Sequence, residues 1–94
     1  MGRIQRFTFD ADEIINVDMS TPGNDTCKVM FFVQGATDIL MAYNESELTY
    51  AYITLKSGQT YVFDGPNPFK TNMFFKANGG ASVLEVWVAG GGYA

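Results

Sequence analysis

Hydrophobic positions along this chain recur mostly at every second residue, in short runs separated by clusters of turn-forming residues. In Arg6-Phe7-Thr8-Phe9-Asp10-Ala11, the apolar residues Phe7, Phe9 and Ala11 fall on one side and Arg6, Thr8 and Asp10 on the other, the signature of a half-buried strand. After acidic Asp10–Glu13, the same period resumes with Ile15, Val17 and Met19, and it stops at the turn formers of Ser20–Asp25. Thr26 to Gln34 differs: Val29, Met30, Phe31, Phe32 and Val33 are consecutive apolar residues, which predicts a strand covered on both faces. Gly35–Asp38 turns the chain into Ile39–Tyr43. Asn44–Glu47 is polar and could open a short helix, yet no 3.6-residue period follows it. Alternation instead predicts a strand over Leu48–Leu55, with Leu48, Tyr50 and Tyr52 sharing a face.

The C-terminal third is the most regular part. Lys56–Gln59 turns into Thr60–Phe63, and Asp64-Gly65-Pro66-Asn67-Pro68 makes a corner. Its prolines donate no ladder hydrogen bond, so this segment must leave the sheet or run along an edge. Met73–Ala77 and Ser82–Val88 flank Asn78-Gly79-Gly80-Ala81, residue types that tolerate the positive φ of a tight hairpin turn. Some eight short strands with regular turn signals and no long amphipathic helix predict an all-β fold. The expected architecture is a single antiparallel β-sandwich with jelly-roll or Greek-key connections, a small barrel being the alternative. Residues 1–94 form one domain, with residues 1–5 expected as an arm and the Gly-rich residues 90–94 as a tail.

Composition sharpens this picture at one point. Hydrophobic residues make up 47% of the chain and charged residues only 17%, against about 25% charged in ordinary soluble domains. So few charges leave apolar surface that a buried interface would absorb, since large exposed apolar patches are uncommon on monomers. The alternative is a tight sandwich clothed in uncharged polar residues. The net charge of −4 provides no basic stripe for nucleic acid, and two arginines near the N-terminus do not make one. Cys27, the single cysteine, excludes an intrachain disulfide and reads as a buried, inert thiol. No apolar h-region follows Met1 and no apolar run is long enough to span a bilayer, so neither secretion by signal peptide nor a membrane partner is expected.

Chemistry is sparse. With no histidine and one cysteine, imidazole acid–base catalysis, the Ser-His-Asp arrangement and the common zinc and iron–sulfur ligand sets are all missing. Asp10-x-Asp12-Glu13 offers oxygens suited to calcium but lacks the spacing and glycine pivot of an EF-hand, and no carboxylate pair is nominated for glycoside hydrolysis. No catalytic residue, metal or cofactor is expected. Tyr50 and Tyr52, with Tyr43, Tyr61 and Trp87 nearby, could form the flat aromatic platform used by sugar-binding sandwiches; the competing reading is tyrosines capping the core with their hydroxyls in water.

Leu55-x-x-Gly58-Gln59-Thr60-Tyr61-x-Phe63-Asp64-Gly65-Pro66, followed by Phe74-Phe75-Lys76-Ala77 and Val83-Leu84-Glu85-Val86-Trp87, resembles small β-sandwich structural proteins of tailed bacteriophages. The likeness spans a little over a third of the chain. Some of those proteins decorate or cement the capsid, and others belong to head fibres or tails. The resemblance implies a non-enzymatic virion protein, made in the host cytoplasm, that bridges major capsid protein subunits and contacts copies of itself. A tail or head-fibre protein, or a carbohydrate-binding module, is the alternative. The corner here is longer by Asn67-Pro68, and the Gly-rich end with Tyr93 is particular to this chain. The residues expected at an interface are Arg3, Arg6, Tyr50, Tyr52, Phe69, Trp87 and Tyr93.

Overall fold

A computed structural model describes residues 2–19, 26–66 and 72–90 of the chain. Eight strands follow in order: β1 (Gly2–Phe9), β2 (Ile14–Asp18), β3 (Thr26–Val33), β4 (Ile39–Ala42), β5 (Ile53–Leu55), β6 (Thr60–Pro66), β7 (Asn72–Ala77) and β8 (Ser82–Gly90). They form two four-stranded antiparallel sheets, ordered β1-β8-β3-β6 and β2-β7-β4-β5. First pairs with last, second with seventh, third with sixth and fourth with fifth. A single long antiparallel ribbon is thereby folded over on itself, the jelly-roll arrangement among the expected ones.

Period-two alternation explains what lies between the sheets. Phe9, Val29, Phe31, Val33, Leu84, Val86 and Val88 of one sheet meet Val17, Ile39, Met41, Leu55, Met73, Phe75 and Ala77 of the other, all buried. Phe31 joins the layers: its ring lies 5.7 Å from that of Phe75 across the sandwich and 5.9 Å, edge-on, from that of Phe63 on the neighbouring strand. Such tilted and T-shaped pairs add about 0.5–1.5 kcal/mol beyond area burial.

Polar groups lock one end of the sandwich. Asp38 accepts a hydrogen bond from Ser57 N through Oδ1 (2.8 Å) and from Asn78 N through its main-chain oxygen (3.0 Å). Buried Ser82 donates its hydroxyl to Thr37 O at 2.6 Å. In the β1–β2 turn Asp12 adopts φ 59°, and its Oδ1 accepts from Gly79 N of the β7–β8 turn at 2.9 Å.

Three expectations are corrected. The strand expected over Leu48–Leu55 shrinks to Ile53–Leu55, because Glu45–Thr49 forms a short 3₁₀ helix. That helix sets Leu48 over Leu40, Ala42 and Phe74, covering apolar surface on the outside of the second sheet that an extended segment would leave wet. Residues 2–5, expected as an arm, belong to β1 and pair with β8. Finally, β3 is covered by the second sheet on one face only. Val29, Phe31 and Val33 point inward, whereas Met30 and Phe32 lie half-buried on the outside. Asp64–Pro66, expected to turn a corner, continue β6 and pair with β3, at the edge of the sheet as their proline requires, while Asn67 and Pro68 lie outside the described residues.

Candidate docking face

The outer face of the β1-β8-β3-β6 sheet is assembled by strand register. Ile4 of β1 stands opposite Trp87 of β8, Trp87 opposite Met30 of β3, and Met30 opposite Val62 of β6. One apolar row therefore crosses all four strands. Both of its ends face water, with Ile4 79% and Val62 57% exposed. Directly opposite residues on one sheet face have Cβ atoms about 5 Å apart, so the row is continuous. Phe32 extends it from the adjoining row, where Arg6, Glu85, Phe32 and Thr60 are partners. Ile4, Arg6, Met30, Phe32, Glu85 and Trp87 line a shallow depression of about 450 Å³.

Two ion pairs frame the row. Arg6 Nη1 lies 3.0 Å from Glu85 Oε2 on one side, and Lys28 Nζ lies 3.7 Å from Asp64 Oδ2 on the other. Both are solvent-accessible and worth at most about 1 kcal/mol each to stability. Their effect on the face is to cancel its charge. The four ionic groups sum to zero, so the net charge of −4 is carried by residues elsewhere. An uncharged apolar strip this long gains about 25 cal/mol for every Å² removed from water.

Of the expected interface residues, Arg6 and Trp87 come together here. Arg3 does not join them: its side chain turns to the inner side of β1, where Nη2 donates to Asp18 O at 2.9 Å, beside Gln5 Nε2 at 3.3 Å. Arg3 thus ties β1 to β2 instead of reaching outward. Tyr50 ends the 3₁₀ helix on the far side of the sandwich and is 72% exposed, with Tyr52 and Tyr43 also exposed. The shared strand face expected for Tyr50 and Tyr52 is replaced by this turn. Phe69 and Tyr93 lie outside the described residues, as does the side chain of Cys27. Sequence reasoning missed Ile4, Met30, Phe32 and Val62, although the unbroken apolar run of β3 was a signal for two of them.

The acidic β1–β2 turn, which offered oxygens for calcium, is engaged in hydrogen bonds of the fold. Asp12 and Glu13 spend carboxylate oxygens on the backbone N–H groups of Gly79 and Asp10. Among the described residues, no three His, Cys, Asp or Glu gather as a metal site, and no helix is long and apolar enough to cross a membrane. Aromatic and aliphatic side chains of both sheets pack together between them.

No protein-family model matches this sequence, and comparison with curated proteins finds no match. Solved structures do share its fold. A cupin superfamily protein from Desulfitobacterium hafniense superimposes with TM-score 0.53 at 9% identity, over 90% of this chain and 64% of that one, so this chain spans less than two thirds of that protein's length. A de novo designed double-stranded β-helix superimposes with TM-score 0.51 at 16% identity, over 92% of this chain and 95% of the other. A structure described as Bacillus endospore appendages forming a family of disulfide-linked pili gives TM-score 0.53 at 10% identity, over 94% of this chain and 82% of that one. A cupin, a designed protein and a pilus share one architecture, so the fold does not by itself separate an enzyme from a binding or assembly protein. What these likenesses establish is the architecture: a small all-β sandwich of the cupin or double-stranded β-helix kind.

Proposed function

We propose that this chain is a non-enzymatic assembly subunit that docks onto neighbouring protein surfaces. In the form implied by its sequence resemblance, it is a capsid decoration protein bridging major capsid protein subunits on a phage head. The observation that carries this reading is the uncharged apolar row Ile4–Trp87–Met30–Val62 across the outer sheet, with both end residues exposed. An apolar patch of this kind on a small domain often marks an interaction site, and a subunit in a lattice hides it. The likeness to a pilus structure adds only that this architecture is compatible with assembly. Virions purified from the cells that make this chain should carry it in numbers comparable with the major capsid protein. Antibody should label their heads, and stripped particles should break at lower temperature. Finding the chain only in the soluble fraction, or on tails, overturns the capsid role.

A second reading rests on Tyr43, Tyr50 and Tyr52, three exposed tyrosines around the 3₁₀ helix. Aromatic faces with polar tips suit sugar rings. Glycan-array binding that disappears in Tyr50→Ala or Tyr52→Ala would support it; no signal on the array removes it.

A further inference from the structure

The outer face of the β1-β8-β3-β6 sheet combines a symmetry of size with a balance of charge. Read across the strands, the row runs branched aliphatic, large, large, branched aliphatic: Ile4, Trp87, Met30, Val62. A two-fold axis lying along the strands midway between β8 and β3 exchanges β1 with β6 and β8 with β3. It lays Trp87 of one copy on Met30 of the other, and Ile4 on Val62. A flat indole against a flexible thioether is a favourable pairing, and an interface in which each contact occurs twice is the commonest way that identical chains associate.

Charge points the same way. Two copies that each carry −4 repel across most of their surfaces. On this face Arg6 neutralises Glu85, and Lys28 neutralises Asp64, so two copies meet there without opposing like charges. Size sets the strength. Four strands spaced about 4.8 Å apart, with strands of eight residues rising about 3.4 Å each, give a face of roughly 500 Å². That is below the roughly 800 Å² per partner of a standard interface, so the contact is reversible and concentration-dependent.

We propose that this face joins two copies of the chain in a two-fold dimer. The proposal rests on the reading of this face as a docking surface, and it adds a mechanism for bridging. Because the 3₁₀ helix packs on the opposite sheet, such a dimer carries one exposed Tyr50 on each outer side. It is therefore bivalent toward whatever binds there.

The test uses the full chain and its single tryptophan. Sedimentation from about 1 μM to about 1 mM should show monomer passing to dimer, with Trp87 emission moving to shorter wavelength over the same range. Salt should strengthen the association by screening the net charge. Ile4→Glu and Val62→Glu replace exposed residues and leave the fold intact, so each should raise the dissociation constant at least about tenfold, while Tyr50→Ala should not change it. A monomer throughout the range, or a dimer that survives both Glu substitutions, overturns the self-pairing. Docking as such is judged separately, by incorporation into particles: if Ile4→Glu reduces incorporation while the free chain stays monomeric, the face binds a different protein; if incorporation is unchanged, the docking reading fails as well.

Discussion

Trp87 of β8 stands directly opposite Met30 of β3 on the outside of the sandwich, while their immediate neighbours Val86, Val88, Val29 and Phe31 are buried inside. The two central strands of this sheet therefore present apolar residues on both faces, and only one face is covered by the second sheet. This relationship separates residues that hold the fold from residues available for binding. Substitutions on either side of the sheet should divide along that line.

Phe31→Ala should be severe. Phe31 is fully buried and its ring meets both Phe63 and Phe75, so truncation should cost about 3–5 kcal/mol, a large part of the stability of so small a domain. Met30→Ala, one residue along but on the outer face, should cost less than about 1.5 kcal/mol. Urea denaturation of the two variants measures the difference, and equal losses would contradict the assignment of faces.

Gly35→Ala should fail for a backbone reason. A Cβ at position 35 would stand 2.5 Å from Ser82 Cα and 2.7 Å from Val83 N, atoms that cannot swing aside. We expect a loss of about 2–3 kcal/mol or more. Gly58→Ala meets no atom within 4 Å but retains φ +78°, so it should cost only about 1–2 kcal/mol. Thermal unfolding of both proteins should rank them in that order.

Asp12→Ala should cost about 1–2 kcal/mol, because it leaves the left-handed backbone in place while removing the acceptor for Gly79 N. Asp12→Asn retains a side-chain oxygen and tolerates that backbone, so it should lie within about 0.5 kcal/mol of the parent. Equal losses from the two substitutions would show that the carboxylate acts through its charge instead of as an acceptor.

Arg6→Ala should change stability by less than about 1 kcal/mol, since both partners of its ion pair with Glu85 reach solvent. It should nevertheless weaken docking, because Glu85 then leaves an uncompensated negative charge beside the apolar row. Glu85→Gln in the same chain should restore part of the binding. A double-mutant cycle on stability and on association reads both effects.

Much of the fold was legible in the alternation itself. Phe7 and Phe9, Val83 to Val88 and the Asn78-Gly79-Gly80 turn all announce strands and a hairpin through local chemistry. Leu48–Leu55 was misread because Leu48 obeys a tertiary demand: it must cover Leu40, Ala42 and Phe74, and the chain bends into a 3₁₀ helix to place it. The candidate site was half legible. Trp87 and Arg6 could be nominated one strand at a time, and the run Met30-Phe31-Phe32 showed that β3 was apolar on both sides. Ile4 and Val62 could not be assigned, because their membership depends on which strands become neighbours. Pairing of β1 with β8, nearly the whole chain apart, is not written in either segment alone. Arg3 was misassigned for a related reason: parity within β1 turns it toward Asp18, away from the face that Arg6 occupies.

The docking proposal stands or falls with the row from Ile4 to Val62. The most direct measurement compares the chain with its Ile4→Glu, Val62→Glu double variant for thermal midpoint and for recovery in large native assemblies. If the row serves docking, the midpoint should stay within a few degrees of the parent while assembly recovery falls at least about tenfold. A variant that folds equally well and assembles as before would contradict it.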